Sequence, residues 1–473
     1  MSQKRPVDRA CACQDFNRAE FIRRGVAQAG KGLPSIEAGM PTPAGTGLSR
    51  RTFVLSSAGL LLSVYGAGHV LDPKVFEAGI AQAASDGANQ PVIVSVYLQG
   101  GIDSMSVLYP VGDPLYATYR PSLGLAPDAG PVFTEDSSLH WNPLAAPLAQ
   151  LHAEGKVSVM PTVGYTDPNQ SHFTSRHYYE VGATDANLAT GWLGRYLDIV
   201  GTKDNPLQGL CLDYALQPAL ATARMPVATI DLPTDYSFYA EGVWGPPQTV
   251  MYNTFDAFGE VAAASHDPAM EQSGDAARAS NRLREQLLQF QPAAGTTAPP
   301  LPAGYPSATD EFPARMAAVA KMLAAGLPIQ CVSVTTDSVF DTHEGQAAPF
   351  DAGLGEAVQT IYAFQRDLEA RGLADRVLML VWSEFGRRPQ ENASAGTDHG
   401  AAGCGFVIGT QAAGTMIGEW QGLSTGLDAL GNLTETADFR GVYCSVLEQW
   451  LKQDAKAVIP GAASFTRVPV VKS

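Results

Sequence analysis

The chain has 473 residues, 45% of them hydrophobic and 16% charged, a balance that builds a large packed core and excludes a disordered or fibrous protein. A formal net charge of −16, with no basic patch after residue 60, excludes a nucleic-acid partner, which needs Lys and Arg to neutralise phosphates. The six cysteines, Cys11, Cys13, Cys211, Cys331, Cys404 and Cys444, are mostly isolated along the chain and make no disulfide framework.

Residues 1–48 read as a disordered N-terminal extension, rich in Gly, Pro and Ala toward its end, unless translation starts at Met40. "SRRTFVLSSAGLLLSVYG" (49–66) then sets two arginines before an apolar run that meets no charge until Asp72. The run is short for a membrane span and has the length of a signal core, so the segment resembles a twin-arginine export signal. A buried helix behind two solvated arginines is the structural alternative. "AQAAS" (81–85) offers small residues for cleavage. Segment 49–84 is thus expected to engage the twin-arginine translocase, leaving a periplasmic, cell-wall-associated or secreted protein without a transmembrane segment. That route carries folded proteins, which suits a chain that takes up its metal before export.

Residues 85–473 are expected to form a single α/β domain. The first strand is predicted in "PVIVSVYLQG" (91–100), where Gly100 and Gly101 turn the chain and deliver Asp103 at its carboxyl end. Asp103 can equally be a turn aspartate that caps the next element. The helix "AAPLAQLHAEG" leads to a second strand, "KVSVMPTVGY" (156–165), after which "YTDPNQSHFTSRHYYE" (165–180) opens a helix at Ser171. Ser171 is there either an N-cap or a nucleophile favoured by the helix N-terminus, with His172 and Arg176 at hand for a metal or an anion.

A strand in "PVATIDL" (226–232), a helix over 278–290 and a Pro- and Gly-rich excursion at 291–306 follow. After the strand in "IQCVSVTT" (329–336), the loop "DSVFDTHEGQ" holds Asp337, Asp341 and His343. Asp341 and His343, two apart, share one side of an extended segment and can hold one cation. A helix over 354–372 precedes the strand in "RVLMLVWSEF" (376–385), with Glu384 near its end and Arg387 and Arg388 just beyond. "GTDHG" (396–400) supplies Asp398 and His399, its glycines leaving room for the loop to close over a cation, before a last strand, "CGFVIG" (404–409). Near-continuous apolar strands alternating with helices imply a three-layer α/β sandwich with a mostly parallel central sheet, whose ligands gather at the carboxyl ends of the strands.

Taken in order, "GGID", "NQSHF", "TGWLGRYLD" (190–198), "FDTHEGQ", "SEFGRR" and "GTDHG" resemble the bacterial family called domain of unknown function 1501 (DUF1501), over about residues 91–470. That family is grouped with the alkaline phosphatase and sulfatase superfamily. The resemblance therefore implies an alkaline-phosphatase-like fold and a metal-dependent hydrolase acting on a phosphate or sulfate ester of a small molecule or glycan. Carried over residue by residue, it puts metal ligands at Asp103, Asp341, His343, Asp398 and His399. The nucleophile falls on Ser171, or on Ser104 next to Asp103. Arg176, or Arg387 and Arg388, would clamp the non-transferring oxygens, the last two being otherwise a solvated strand exit.

The chain departs from the superfamily pattern in having no histidine after His399, and in placing Asp398 well beyond the strand at 376–385. A one-cation or carboxylate-rich site, holding zinc or calcium, magnesium or manganese, fits this ligand supply. Glu384 is either a further ligand or a salt-bridge partner of Arg387 or Arg388. The alternative function is a non-catalytic secreted protein that uses the same pocket to bind a ligand or glycan.

Overall fold

The computed structural model describes residues 64–65, 90–202, 205–234, 236, 245–263, 267–292, 296, 300–306 and 311–472. The N-terminal extension, the arginine pair and the small-residue cleavage site lie outside the described residues, as does nearly all of 49–84. In chain order the strands are β1 (Val64–Tyr65), β2 (Val92–Tyr97), β3 (Leu108–Pro110), β4 (Leu139–Trp141), β5 (Val157–Gly164), β6 (Gly209–Leu212), β7 (Val227–Ile230), β8 (Cys331–Thr335), β9 (Val377–Trp382), β10 (Arg387–Glu391), β11 (Thr397–His399), β12 (Gly403–Ile408) and β13 (Ala437–Asp438).

Nine of these described strands make one sheet in the order β1-β7-β6-β8-β2-β9-β12-β5-β13. β7, β6, β8, β2 and β9 pair parallel with one another in turn, and β13 pairs parallel with β5. β12 runs antiparallel between β9 and β5, and β1 antiparallel along β7. The fold is therefore the expected α/β sandwich with a mostly parallel central sheet. Two features differ from the sequence-based expectation. "GLCL" makes the short strand β6, and the run "CGFVIG" is reversed in direction.

Successive residues of each strand enter opposite layers. Val92, Val94 and Val96 pack with Leu148, Phe312, Val319 and Phe364 in one apolar cluster. Ile93 and Tyr97 pack with Tyr179, Trp192 and Tyr443 in another. Both faces being covered is the reason the strands are apolar throughout rather than alternating, and each fully buried Val, Ile or Leu contributes about 1.5–3 kcal/mol. The first layer holds the helices Ala146–Ala153, Phe312–Ala324 and Ala347–Ala370; the second holds His172–Val181, Trp192–Val200 and Phe439–Ser445. "TGWLGRYLD" finds its reason in the second layer. A Cβ on Gly191 would stand 2.1 Å from Ala219 O, and one on Gly194 2.0 Å from Ala221 O, so helix and 218–221 turn touch backbone to backbone.

Because β2, β5, β8 and β9 point the same way, their carboxyl ends share one edge of the sheet. The reversed strand β12 begins at that same edge, which places the residues that precede it beside the residues that follow the others.

Candidate metal centre

Four side chains meet at this edge. Asp341 and His343 come from the loop after β8, and His172 opens the helix after β5. His399 ends β11, just ahead of β12. Asp341 Oδ1 lies 3.1 Å from His343 Nε2, 3.4 Å from His172 Nε2 and 3.4 Å from His399 Nε2. The Nε2 atoms of His172 and His399 are 3.0 Å apart. The Asp341 side chain is fully buried. Burial alone would raise its pKa, but the three imidazoles and the Arg387 guanidinium outweigh it and hold the carboxyl well below the ordinary range.

What stands behind each imidazole fixes the proton on its Nδ1. His172 Nδ1 lies 2.8 Å from Glu384 Oε1, His399 Nδ1 2.9 Å from the Gln170 carbonyl oxygen, and His343 Nδ1 3.3 Å from Asp398 Oδ1. A carbonyl and a carboxylate only accept, so each Nδ1 carries a proton, and a ring with no second proton turns its Nε2 lone pair inward. Lone pairs 3.0 Å apart beside a carboxylate repel unless positive charge lies among them. Either added protons or a metal ion supplies it. Zinc ligands at 2.0–2.1 Å in a tetrahedron stand about 3.3 Å from one another, close to the spacings here. Asp341 Oδ2 is buried with no hydrogen-bond partner among the described residues. The donor set, three imidazoles and a carboxylate, thus fits a divalent cation, and His172, Asp341 and His399 alone bring three ligand atoms within 4.8 Å of one another.

Glu384 is itself held rigidly. Its carboxylate accepts the Gly100 and Gly101 N–H groups at 3.0 and 3.1 Å and the Ser383 hydroxyl at 2.9 Å. Gly100 and Gly101 adopt φ of +105° and +79°, a conformation glycine enters without strain, and this turn aims two successive N–H groups at one carboxylate. Burial would raise the Glu384 pKa, but its hydrogen bonds, that to the His172 imidazole first among them, outweigh this and hold it below the ordinary value. Glu384 therefore backs a histidine and is not the partner of Arg387 or Arg388.

The remaining sequence-derived site residues are distributed as follows. Asp398 stands behind His343 with its side chain 58% exposed, fixed by Asn392 Nδ2 at 3.1 Å. Asp103 is outside the cluster: its two oxygens take Arg120 Nη1 and Nη2 at 2.5 and 2.9 Å, and Ser106 and Gln346 add further bonds. These four bonds take up the roughly four acceptor sites of the carboxylate, so the position expected to hold metal holds Arg120. Arg176 is buried and bonded to Glu180 and Gln217, with its guanidinium over the Tyr97 ring, rather than facing the cluster. Arg387 is neither a substrate clamp nor a solvated exit. It is 1% exposed, and its donors go to Asp341 and to the carbonyls of Gly100, Gly101 and Thr397. Arg388 is half-buried. Ser171 occupies the N-cap of its helix without a side-chain capping bond, and Ser104 is buried beside the Cys404 thiol. Asp337 caps the start of the helix Phe312–Ala324 and pairs with Arg315.

The glycines of "GTDHG" serve contact rather than mobility. A Cβ on Gly396 would lie 2.2 Å from the His343 carbonyl carbon, and one on Gly400 2.6 Å from that of Arg387. Sequence reasoning missed Arg120 and Gln346, which bonds both Asp103 and Thr397. No local signal marks either one.

Residues 162–440 match the family described as protein of unknown function (DUF1501). The chain matches no curated protein. Among solved structures it is similar to the PsFucS1 sulfatase from Pseudoalteromonas sp. at 12% identity, over 85% of this chain and 77% of that one, with a TM-score of 0.34. It is also similar to the lipoteichoic acid synthase LtaP from Listeria monocytogenes at 8% identity, over 79% and 75% of the two chains, with a TM-score of 0.32. A third similarity is to the soluble domain of lipooligosaccharide phosphoethanolamine transferase A from Neisseria meningitidis, at 10% identity over 80% and 94%, with a TM-score of 0.32.

Proposed function

The chain belongs to the DUF1501 family of proteins of unknown function, so its activity has to be argued from its own residues, and we propose an exported, metal-dependent hydrolase of phosphate or sulfate esters. The observation that carries this reading is the convergence of three Nε2 atoms on one buried carboxylate, each imidazole backed by an oxygen acceptor. His172, His343, His399 and Asp341 would hold the cation, which when bound supplies Lewis-acid stabilisation of several kcal/mol to the charge of the transition state.

The protein's own groups do the rest. Glu384 and Asp398 orient His172 and His343, and Arg387 pins Asp341. Asp341, Glu384 and Asp398 against one guanidinium leave the centre net negative, which favours a dication. Ser171 is the proposed nucleophile: it stands at a helix N-terminus, next in sequence to His172, where the dipole favours an anionic ester. Its hydroxyl oxygen bonds to the phosphorus or sulfur as the alcohol leaves, and water then releases the acid. Ser104 is the weaker choice because it is buried among the packed residues after β2.

Export rests on the arginine pair and apolar run at 49–66, and a mature N-terminus found ahead of Arg50 by mass spectrometry would refute a cleaved signal. The second reading, a non-catalytic binder, is favoured by one observation: the same imidazole-to-Asp341 distances suit protonated rings hydrogen-bonded to the carboxylate. Metal analysis of the purified chain, coupled to aryl phosphate and aryl sulfate assays, separates the two. The hydrolase reading expects about one divalent ion per chain and turnover abolished in Asp341→Ala; a metal-free, inactive wild type leaves the binder.

A further inference from the structure

An open groove of about 560 Å³ lies beside the centre, between the helix Tyr116–Tyr119 with its following loop and the turn that joins β10 to β11. We propose that this groove seats the sugar of a glycan ester whose anionic group reaches the His172–Asp341–His399 cluster. The assignment rests on the hydrolase reading and names its substrate class.

Three observations lead there. The walls are tied to each other. Glu391, on the β10 side, accepts the Ser122 N–H and hydroxyl at 2.9 and 2.8 Å and the Leu123 N–H at 2.8 Å, all from the opposite side. Beneath them the buried Arg120 donates to the Arg388 carbonyl at 3.0 Å and to that of Pro389. A groove braced in this way is preformed, and its size falls within the roughly 300–1,000 Å³ of small-molecule sites.

The groove also adjoins the centre. Asn392 lines it while donating to the His343 carbonyl at 2.9 Å and to Asp398 Oδ1 at 3.1 Å. A molecule touching Asn392 is therefore one residue away from the pair that orients and supplies an imidazole of the cluster.

The lining, finally, selects a neutral, hydroxyl-rich occupant. No Lys or Arg is among its lining residues, and its one charged group, Glu391, is held anionic: burial would raise its pKa, but the Ser122 and Leu123 N–H bonds outweigh this. Phosphate and sulfate are repelled there, and the cation proposed for the centre would be their counter-charge. The Thr118 hydroxyl, the Tyr119 hydroxyl and the Gln390 amide carry no hydrogen bond among the described residues. Hydroxyls and an amide suit the vicinal hydroxyls of a sugar, and the Tyr119 ring suits its C–H face. The apolar lining, Pro121, Ala393 and Ala395, is too small for an acyl chain.

The test is a glycan array carrying neutral, sulfated and phosphorylated glycans, probed with the fluorescently labelled full chain, wild type, Tyr119→Ala and Gln390→Ala, each loaded with zinc. Retention of a sulfated or phosphorylated glycan class by the wild type, reduced at least fivefold in both variants, is the expected result. No glycan retained by the wild type, or retention by both variants equal to that of the wild type, overturns the proposal; Gln390→Ala keeps the comparison valid should Tyr119→Ala fail to fold. Glycan retention by a wild type that hydrolyses no aryl ester would uphold the groove while sinking the hydrolase reading.

Discussion

His172 faces two oxygens at once, Glu384 through Nδ1 and Asp341 through Nε2, and this makes Glu384 the most informative residue to alter. Glu384→Gln keeps the shape but weakens the acceptor behind the ring. Metal affinity, read by chelator competition, is expected to fall about 10–100-fold with the circular dichroism spectrum unchanged. Asp103 is predicted to behave oppositely. Its removal in Asp103→Ala strands the buried Arg120 charge and costs on the order of 3–5 kcal/mol in denaturant unfolding, while the metal content of the folded protein stays at the wild-type value. The pH dependence has a definite sign. Burial raises the Asp103 pKa, Arg120 more than reverses it, and the folded-state value is depressed. The pair's contribution is therefore complete above the unfolded value of about 3.9 and is lost as pH falls through the folded one, so the gap between wild type and Asp103→Ala must narrow in acid. The adjacency of Asp341 and His343 was legible because their spacing is local. Asp103 was misplaced because its deciding partner, Arg120, sits 17 residues away with no motif around it.

At the scale of elements, the β10–β11 hairpin carries the most consequence. Gly396 lies against the His343 backbone, so a methyl group there has to displace the chain that presents an imidazole. Gly396→Ala is expected to cost about 1–3 kcal/mol by overpacking and to lower metal affinity as well. Thermal unfolding and metal titration of one sample check both, and loss of stability without loss of affinity would detach the hairpin from the centre. Strand positions could be read from apolar runs, since a strand covered on both faces is apolar along its whole length. The direction of β12 could not, because "CGFVIG" packs equally well either way round and only its neighbours β9 and β5 decide. β6 escaped notice because four residues carry too little pattern.

For the whole molecule, the proposed ligands span residues 172 to 399 and meet only when β5, β8, β9 and β12 are assembled in one sheet. An unfolded chain cannot hold such a site, so an ion bound to it stabilises the fold by mass action, about 4 kcal/mol at a thousandfold excess over Kd. A chelator should accordingly lower Tm by several degrees, reversibly on adding zinc, whereas Asp341→Ala should melt at one temperature with or without it. The sandwich class and the edge where the imidazoles gather were legible because alternation and strand ends are properties of short segments. Which carboxylate joins the imidazoles is a property of the assembled sheet. Among the described residues no helix is long and apolar enough to cross a membrane. The reversal of β12 also bears on how such a protein can diversify. Chain leaves the sheet at Trp382 and re-enters beside it at Gly403, so both ends of this excursion are pinned by adjacent strands whatever its length. Recomposing this excursion outside Asn392 and Gly396, which hold the His343 segment, would then alter the proposed groove and leave the anchoring strands in register, letting one centre be inherited with many specificities.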